Sequence, residues 1–110
     1  MAMVKVSRFD ILLISLDPSQ GAEIKKTRPC IVISPDEMNK YIKTVIVAPM
    51  TSSIKSYPTR VHVNFEGKAG NIVLDQIRTI DKSRIVRKLG SLDFNTSVSV
   101  LNILNKMFSR

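Results

Sequence analysis

Tryptophan is absent, aromatic residues reach only 5%, and cysteine and histidine occur once each, as Cys30 and His62. So few rings exclude a platform that stacks several exposed bases. One cysteine cannot close an internal disulfide. One cysteine and one histidine cannot supply the usual four-ligand zinc set. No apolar run reaches the ~18 residues of a membrane span. No apolar stretch with a cleavage site opens the chain. The expectation is a cytoplasmic protein in a reducing setting, with no metal, no cofactor and no membrane partner.

What is present is positive charge. The 110 residues hold 17 Lys+Arg against 9 Asp+Glu, a formal net charge of +8. Residues 51–110 carry ten of the basic side chains and four of the acidic ones. The stretch Arg78–Lys88 sets Arg78, Lys82, Arg84, Arg87 and Lys88 against Asp81 alone. Such a field attracts an anionic partner or keeps a small protein soluble, and charge by itself does not separate the two. The length fits one domain over residues 1–110 that buries a real core.

Short apolar runs alternate with turn chemistry. Strands are expected at Phe9–Ser15, Pro29–Ser34, Thr44–Ala48 and Arg60–Phe65. Gly67–Gly70 is expected to turn, Asn71–Ile80 to form a fifth strand, and Ile85–Leu89 a sixth. Asp36–Tyr41 reads as one helical turn. After residue 93 the period changes. Val98, Leu101, Leu104 and Phe108, broadened by Val100, Ile103 and Met107, fall at steps of three and four. That spacing predicts an amphipathic helix over Asn95–Phe108, capped by Asp93 or Asn95. Strands followed by one helix give a mainly β fold, a small barrel-like sheet of five to six strands with a C-terminal helix.

Three polar clusters stand at strand ends or within strands. Arg28 precedes Pro29, which holds it extended, and a planar guanidinium there suits a phosphate. Thr51, Ser52 and Ser53 offer hydroxyls and free backbone N–H groups, which also bind phosphate oxygens. The plainer alternative pairs Arg28 with Asp75 or Glu23 and leaves the hydroxyls to close a turn. In the third cluster, strand alternation sets Ile72, Leu74, Gln76 and Arg78 on one face. It leaves Asp75 on the other among apolar neighbours, where it needs a partner. His62 falls on a solvent face. Cys30 lies in an apolar run and reads as a small hydrophobe, not a nucleophile.

One ordered series runs through nearly the whole chain from Arg8. It comprises Asp10-Ile11, Leu16-Asp17-Pro18 with Gly21 and Glu23, Arg28-Pro29, Ser34-Pro35, Asn39, Pro49 with Thr51-Ser52, and Asp75-Gln76-Ile77-Arg78-Thr79-Ile80-Asp81. In this order the residues resemble the MazF/PemK family of toxins from toxin–antitoxin pairs. The resemblance implies an SH3-like barrel with a C-terminal helix and a homodimer. It implies a metal-independent endoribonuclease that cuts single-stranded RNA and is neutralised by an acidic antitoxin. Catalysis then falls to Arg28 and Thr51. RNA contacts fall to Glu23, Lys25 and Lys26 in the Pro18–Thr27 loop, to Ser52 and Ser53, and to Asp75, Gln76 and Arg78. Three positions depart from the pattern. Arg8-Phe9-Asp10 replaces Arg-Gly-Asp, so that turn is expected to differ. Ala22 and Val73 replace a histidine and an arginine given acid–base roles in some members. A non-catalytic toxin of the same fold, similar to the CcdB group that binds DNA gyrase, is the alternative. The ending Met107-Phe108-Ser109-Arg110 lacks that group's Trp-Gly-Ile type of terminus.

Overall fold

The computed structural model describes residues 5–16, 27–53 and 55–110. Seven strands form one strongly curled sheet: β1 (Asp10–Ser15), β2 (Thr27–Val32), β3 (Thr44–Thr51), β4 (Arg60–Phe65), β5 (Lys68–Val73), β6 (Arg78–Asp81) and β7 (Ile85–Ser91). Two helices complete the fold, α1 (Asp36–Tyr41) and α2 (Phe94–Phe108). The strand order is β4-β5-β3-β2-β1-β7, with β6 paired to β3. The outer strands β4 and β7 do not pair, so among the described residues the sheet is an open half-barrel.

Alternation along β2 and β3 explains the two cores. Ile31, Ala48 and Met50 face one side with Ile11, Val61, Val63, Ile72 and Leu74, and α2 covers them through Val100, Ile103, Leu104 and Met107. Cys30, Val32, Val45 and Val47 face the other side with Leu12, Ile14 and Ile80. Each fully buried branched side chain contributes roughly 1.5–3 kcal/mol, so both faces of β1–β3 are strongly held.

The C-terminal helix begins one residue earlier than expected. Its cap is Asp93, whose carboxylate accepts from the Thr96 N–H at 3.1 Å and the Thr96 hydroxyl at 2.6 Å. These bonds hold the Asp93 carboxyl below its usual range. Val98 and Phe108, expected in the apolar stripe, are exposed. The packed face is centred instead on Val100, Ile103, Leu104 and Met107.

The expected fifth strand, Asn71–Ile80, is two strands. A 3-10 turn at Leu74–Gln76 ends β5 and sends the chain into β6. Leu74 stays buried through the break, so the apolar alternation does not reveal it. The expected turn at Gly67–Gly70 is also shorter. Glu66 (φ 51°) and Gly67 (φ 77°) make the reversal, and β5 has already begun at Lys68. The count is therefore seven strands, not five or six.

Phe9 stands where the family pattern has glycine. It adopts φ 71°, donates its N–H to Val32 O at 2.7 Å and accepts from Leu92 N–H at 3.0 Å. This left-handed conformation costs a non-glycine residue about 1–2 kcal/mol. Asn39 is buried because it closes a polar knot with Ser34. The Ser34 hydroxyl donates to Asn39 Oδ1, and Asn39 Nδ2 donates to Ser34 O at 2.9 Å.

Cys30 lies fully buried. Burial pushes its thiol up to about 12, against the opposing pull of Arg28 and Arg78. A thiol that stays protonated at neutral pH is a poor nucleophile. At pH 8, iodoacetamide should label the native protein far more slowly than the denatured one. Fast labelling of the native chain would show that this core opens.

Candidate active site

The β2–β3 ladder pairs Cys30 with Pro49. Two residues further toward the same end of the sheet stand Arg28 and Thr51, on neighbouring strands. Both line one open cavity of about 380 Å³. Its near wall is Thr27, Arg28 and Pro29 of β2 with Met50, Thr51 and the following Ser52. Its far wall is the β4–β5 hairpin, through Val63, Phe65, Glu66, Lys68, Ala69 and Gly70. Pro29, Met50, Val63 and Phe65 make it partly apolar, while Arg28, Glu66 and Lys68 bring charge. A concave, partly apolar cavity with a few convergent polar groups is the usual form of a ligand site.

Arg28 is exposed and extended, its backbone held by β1, where Ile14 lies opposite. Among the described residues the ion pairs are Arg60–Asp75 at 3.5 Å and Lys88–Asp10 at 3.2 Å. The Arg28 guanidinium takes part in neither. Thr51 is half-buried, and its Oγ1 accepts the Ser53 N–H at 3.2 Å. That bond fills an acceptor position and leaves the hydroxyl proton for a substrate oxygen. Thr51 thus both closes a turn and presents a donor. Ser53 does not line the cavity. Its Oγ accepts from the Lys55 N–H at 3.4 Å.

Asp75, Gln76 and Arg78 do not line the cavity. Asp75 is exposed, not set among apolar neighbours, because the 3-10 turn swings it outward. It accepts from the Thr59 hydroxyl at 2.9 Å and from Arg60 Nε at 3.5 Å. Partial desolvation pushes its carboxyl up, but the bonds from Thr59, its own backbone and Arg60 prevail and hold it below the usual range. Asp75 therefore pairs with Arg60, not Arg28. Arg78 is exposed on β6 opposite Val47. His62 is exposed, as its alternation predicts. Glu23, Lys25 and Lys26, like the rest of that loop up to Thr27, lie outside the described residues, so the pairing of Arg28 with Glu23 does too.

The hairpin wall escaped the reading of the sequence. Phe65, Glu66, Lys68 and Gly70 reach the site only because β5 pairs with the far end of β3, joining Met50 to Ile72 and Thr51 to Asn71. No local pattern announces that pairing. The one available signal was Gly70. A Cβ there would lie 2.3 Å from the Thr51 carbonyl oxygen, so the strands meet where only glycine fits.

Known proteins share the fold that carries this cavity. The family described as PemK-like, MazF-like toxin of type II toxin–antitoxin system matches residues 7–108. A protein named Endoribonuclease MazF from Staphylococcus epidermidis is 39% identical over 106 residues, covering 91% of this chain and 88% of that one. The MazE–MazF structure (Form-II) from Deinococcus radiodurans superposes with a TM-score of 0.81 at 24% identity, covering 96% of each chain. A mycobacterial endoribonuclease in complex with its cognate antitoxin has a TM-score of 0.78 at 20% identity, covering 92% of each. At these identities the two structures establish the fold, and the family match extends over almost the whole sequence. The chain belongs to the PemK-like, MazF-like toxins of type II toxin–antitoxin systems.

Proposed function

We propose that this toxin is a sequence-specific endoribonuclease that cuts single-stranded RNA without a metal ion. The observation that carries the proposal is the meeting of Arg28 and Thr51 at one cavity, within a family whose member at 39% identity is named an endoribonuclease. RNA brings its own nucleophile. The 2′-oxygen attacks the adjacent phosphorus, the bond from phosphorus to the 5′-oxygen breaks, and a 2′,3′-cyclic phosphate forms. One proton moves from the 2′-oxygen to the departing 5′-oxygen, carried by solvent, and no water is consumed. The protein must hold the phosphate in line and stabilise its growing charge. The Arg28 guanidinium supplies a permanent positive fork, and Thr51 donates a hydrogen bond to a phosphoryl oxygen. Ser52, at the same wall, adds a second hydroxyl.

The proposal extends to a cytoplasmic homodimer and to an acidic antitoxin that lies over Arg28. The support is the excess positive charge, which steers an acidic chain toward this surface. The mycobacterial structural relative was solved with its cognate antitoxin.

The test is cleavage of a mixed RNA pool and the matching DNA by purified protein, with and without excess chelator, followed by end-group determination. RNA should be cut to a 2′,3′-cyclic phosphate upstream and a 5′-hydroxyl downstream, at the same rate in chelator, and DNA should be untouched. A 5′-phosphate on the downstream fragment would eliminate attack by the 2′-oxygen.

A further inference from the structure

We infer that Asn71 is a positioning residue for the Thr51 hydroxyl, acting as a clamp on the loop that follows β3. This rests on the proposed ribonuclease reading of the same site. Asn71 is 4% exposed and lies directly opposite Thr51 in the β3–β5 ladder. Its Nδ2 donates to Ser53 O and to Lys55 O, each at 3.0 Å. A side-chain amide has two N–H donors, and both are spent on carbonyls two residues apart in one loop. The same loop returns the Ser53 N–H to Thr51 Oγ1 at 3.2 Å. Thr51 is thus held through its backbone by β5 and through its hydroxyl by a loop that Asn71 fixes.

The chain of contacts decides what each change does. Without the amide, Ser53 and Lys55 lose an anchor, Ser53 N–H leaves Thr51 Oγ1, and the hydroxyl no longer has one preferred direction. Ground-state binding by Arg28 is unaffected, because Arg28 stands on β2. The loss should therefore fall on kcat and leave KM alone. A residue that merely stabilised the fold would instead lower the amount of active protein and would act independently of Thr51.

Asn71→Ala should lower kcat on RNA about tenfold, by analogy with a misplaced catalytic group, with KM within about twofold. Asn71→Asp keeps the shape but removes both donors, and it should lose at least as much. Combined with Thr51→Ala, Asn71→Ala should cost nothing further, because it acts through the hydroxyl already removed. By hydrogen exchange, the Ser53 amide should lose protection while Val100 in α2 keeps its own. Should Asn71→Ala melt below the assay temperature, Asn71→Thr, which suits a strand, carries the same measurements. Full activity in Asn71→Asp, or a double variant that loses the product of the two single effects, overturns the clamp. If the native protein cuts no RNA, the ribonuclease reading fails, and if Arg28→Ala cuts as fast as native, the assignment of Arg28 fails; in either case Ser53 exchange still reports on the clamp.

Discussion

Arg28→Ala should slow RNA cleavage by at least ~10²-fold, the usual cost of removing one donor aimed at developing charge. The side chain is exposed and its guanidinium takes part in no ion pair among the described residues. Its removal should therefore leave the melting temperature nearly unchanged, which separates this loss from unfolding. Arg28→Lys should recover little. An ammonium supplies the charge as a point, whereas the phosphoryl oxygens call for two parallel donors in a plane. Thr51→Ala should also slow cleavage in a folded protein, by a smaller factor, since it removes a neutral donor. The measurement is single-turnover cleavage of a defined RNA beside thermal melting. Native-like cleavage by Arg28→Ala would remove Arg28 from the reaction whatever the enzyme's products.

Gly70→Ala should damage both fold and site. The added Cβ would sit 2.3 Å from the Thr51 carbonyl oxygen, a backbone atom that cannot rotate away. The two strands must part where Thr51 pairs with Asn71. Overpacking of this kind costs about 1–3 kcal/mol, which lowers the melting temperature of a small domain by several degrees. The displacement reaches the Thr51 hydroxyl as well, and a shift near 1 Å can cost ~10²-fold in rate. Cleavage should therefore fall further than the unfolded fraction explains. Gly90→Ala is the control, since nothing lies within 4 Å of its added Cβ. It should melt and cut close to native. Equal behaviour of the two variants would show that the close approach at Thr51 is not needed.

Particular residues show where the sequence was legible. The change to three-and-four spacing after residue 93 located α2, and a short acceptor before it located the cap. Both are local signals, set by one turn of backbone. Alternation over Arg60–Phe65 placed His62 in solvent correctly for the same reason. The break at Leu74–Gln76 was hidden because Leu74 remains apolar and buried, so a continuous strand and a strand–turn–strand share one pattern. Arg28 and Thr51 were legible through the family resemblance, and the extended β2 and β3 carry them to one cavity. The opposite wall was not legible. Glu66, Lys68 and Ala69 owe their positions to a pairing between β3 and β5, and long-range pairing leaves no mark in either segment alone.

The hairpin wall has a consequence for how such a protein can vary. Its tip, Glu66 and Gly67, is a two-residue reversal that stands clear of both cores, with Lys68 and Ala69 exposed beside it. Lengthening β4 and β5 by one residue each at that point keeps the inward set of side chains facing inward, because the strand repeat is two and both arms grow together. The cavity becomes deeper or shallower on one side, while Arg28 and Thr51 stay in place on β2 and β3. On the proposed reading, preference for a substrate and the ability to cut it are thus mounted on separate pieces of backbone. Hairpin length is a dial that design can turn without touching Arg28 or Thr51.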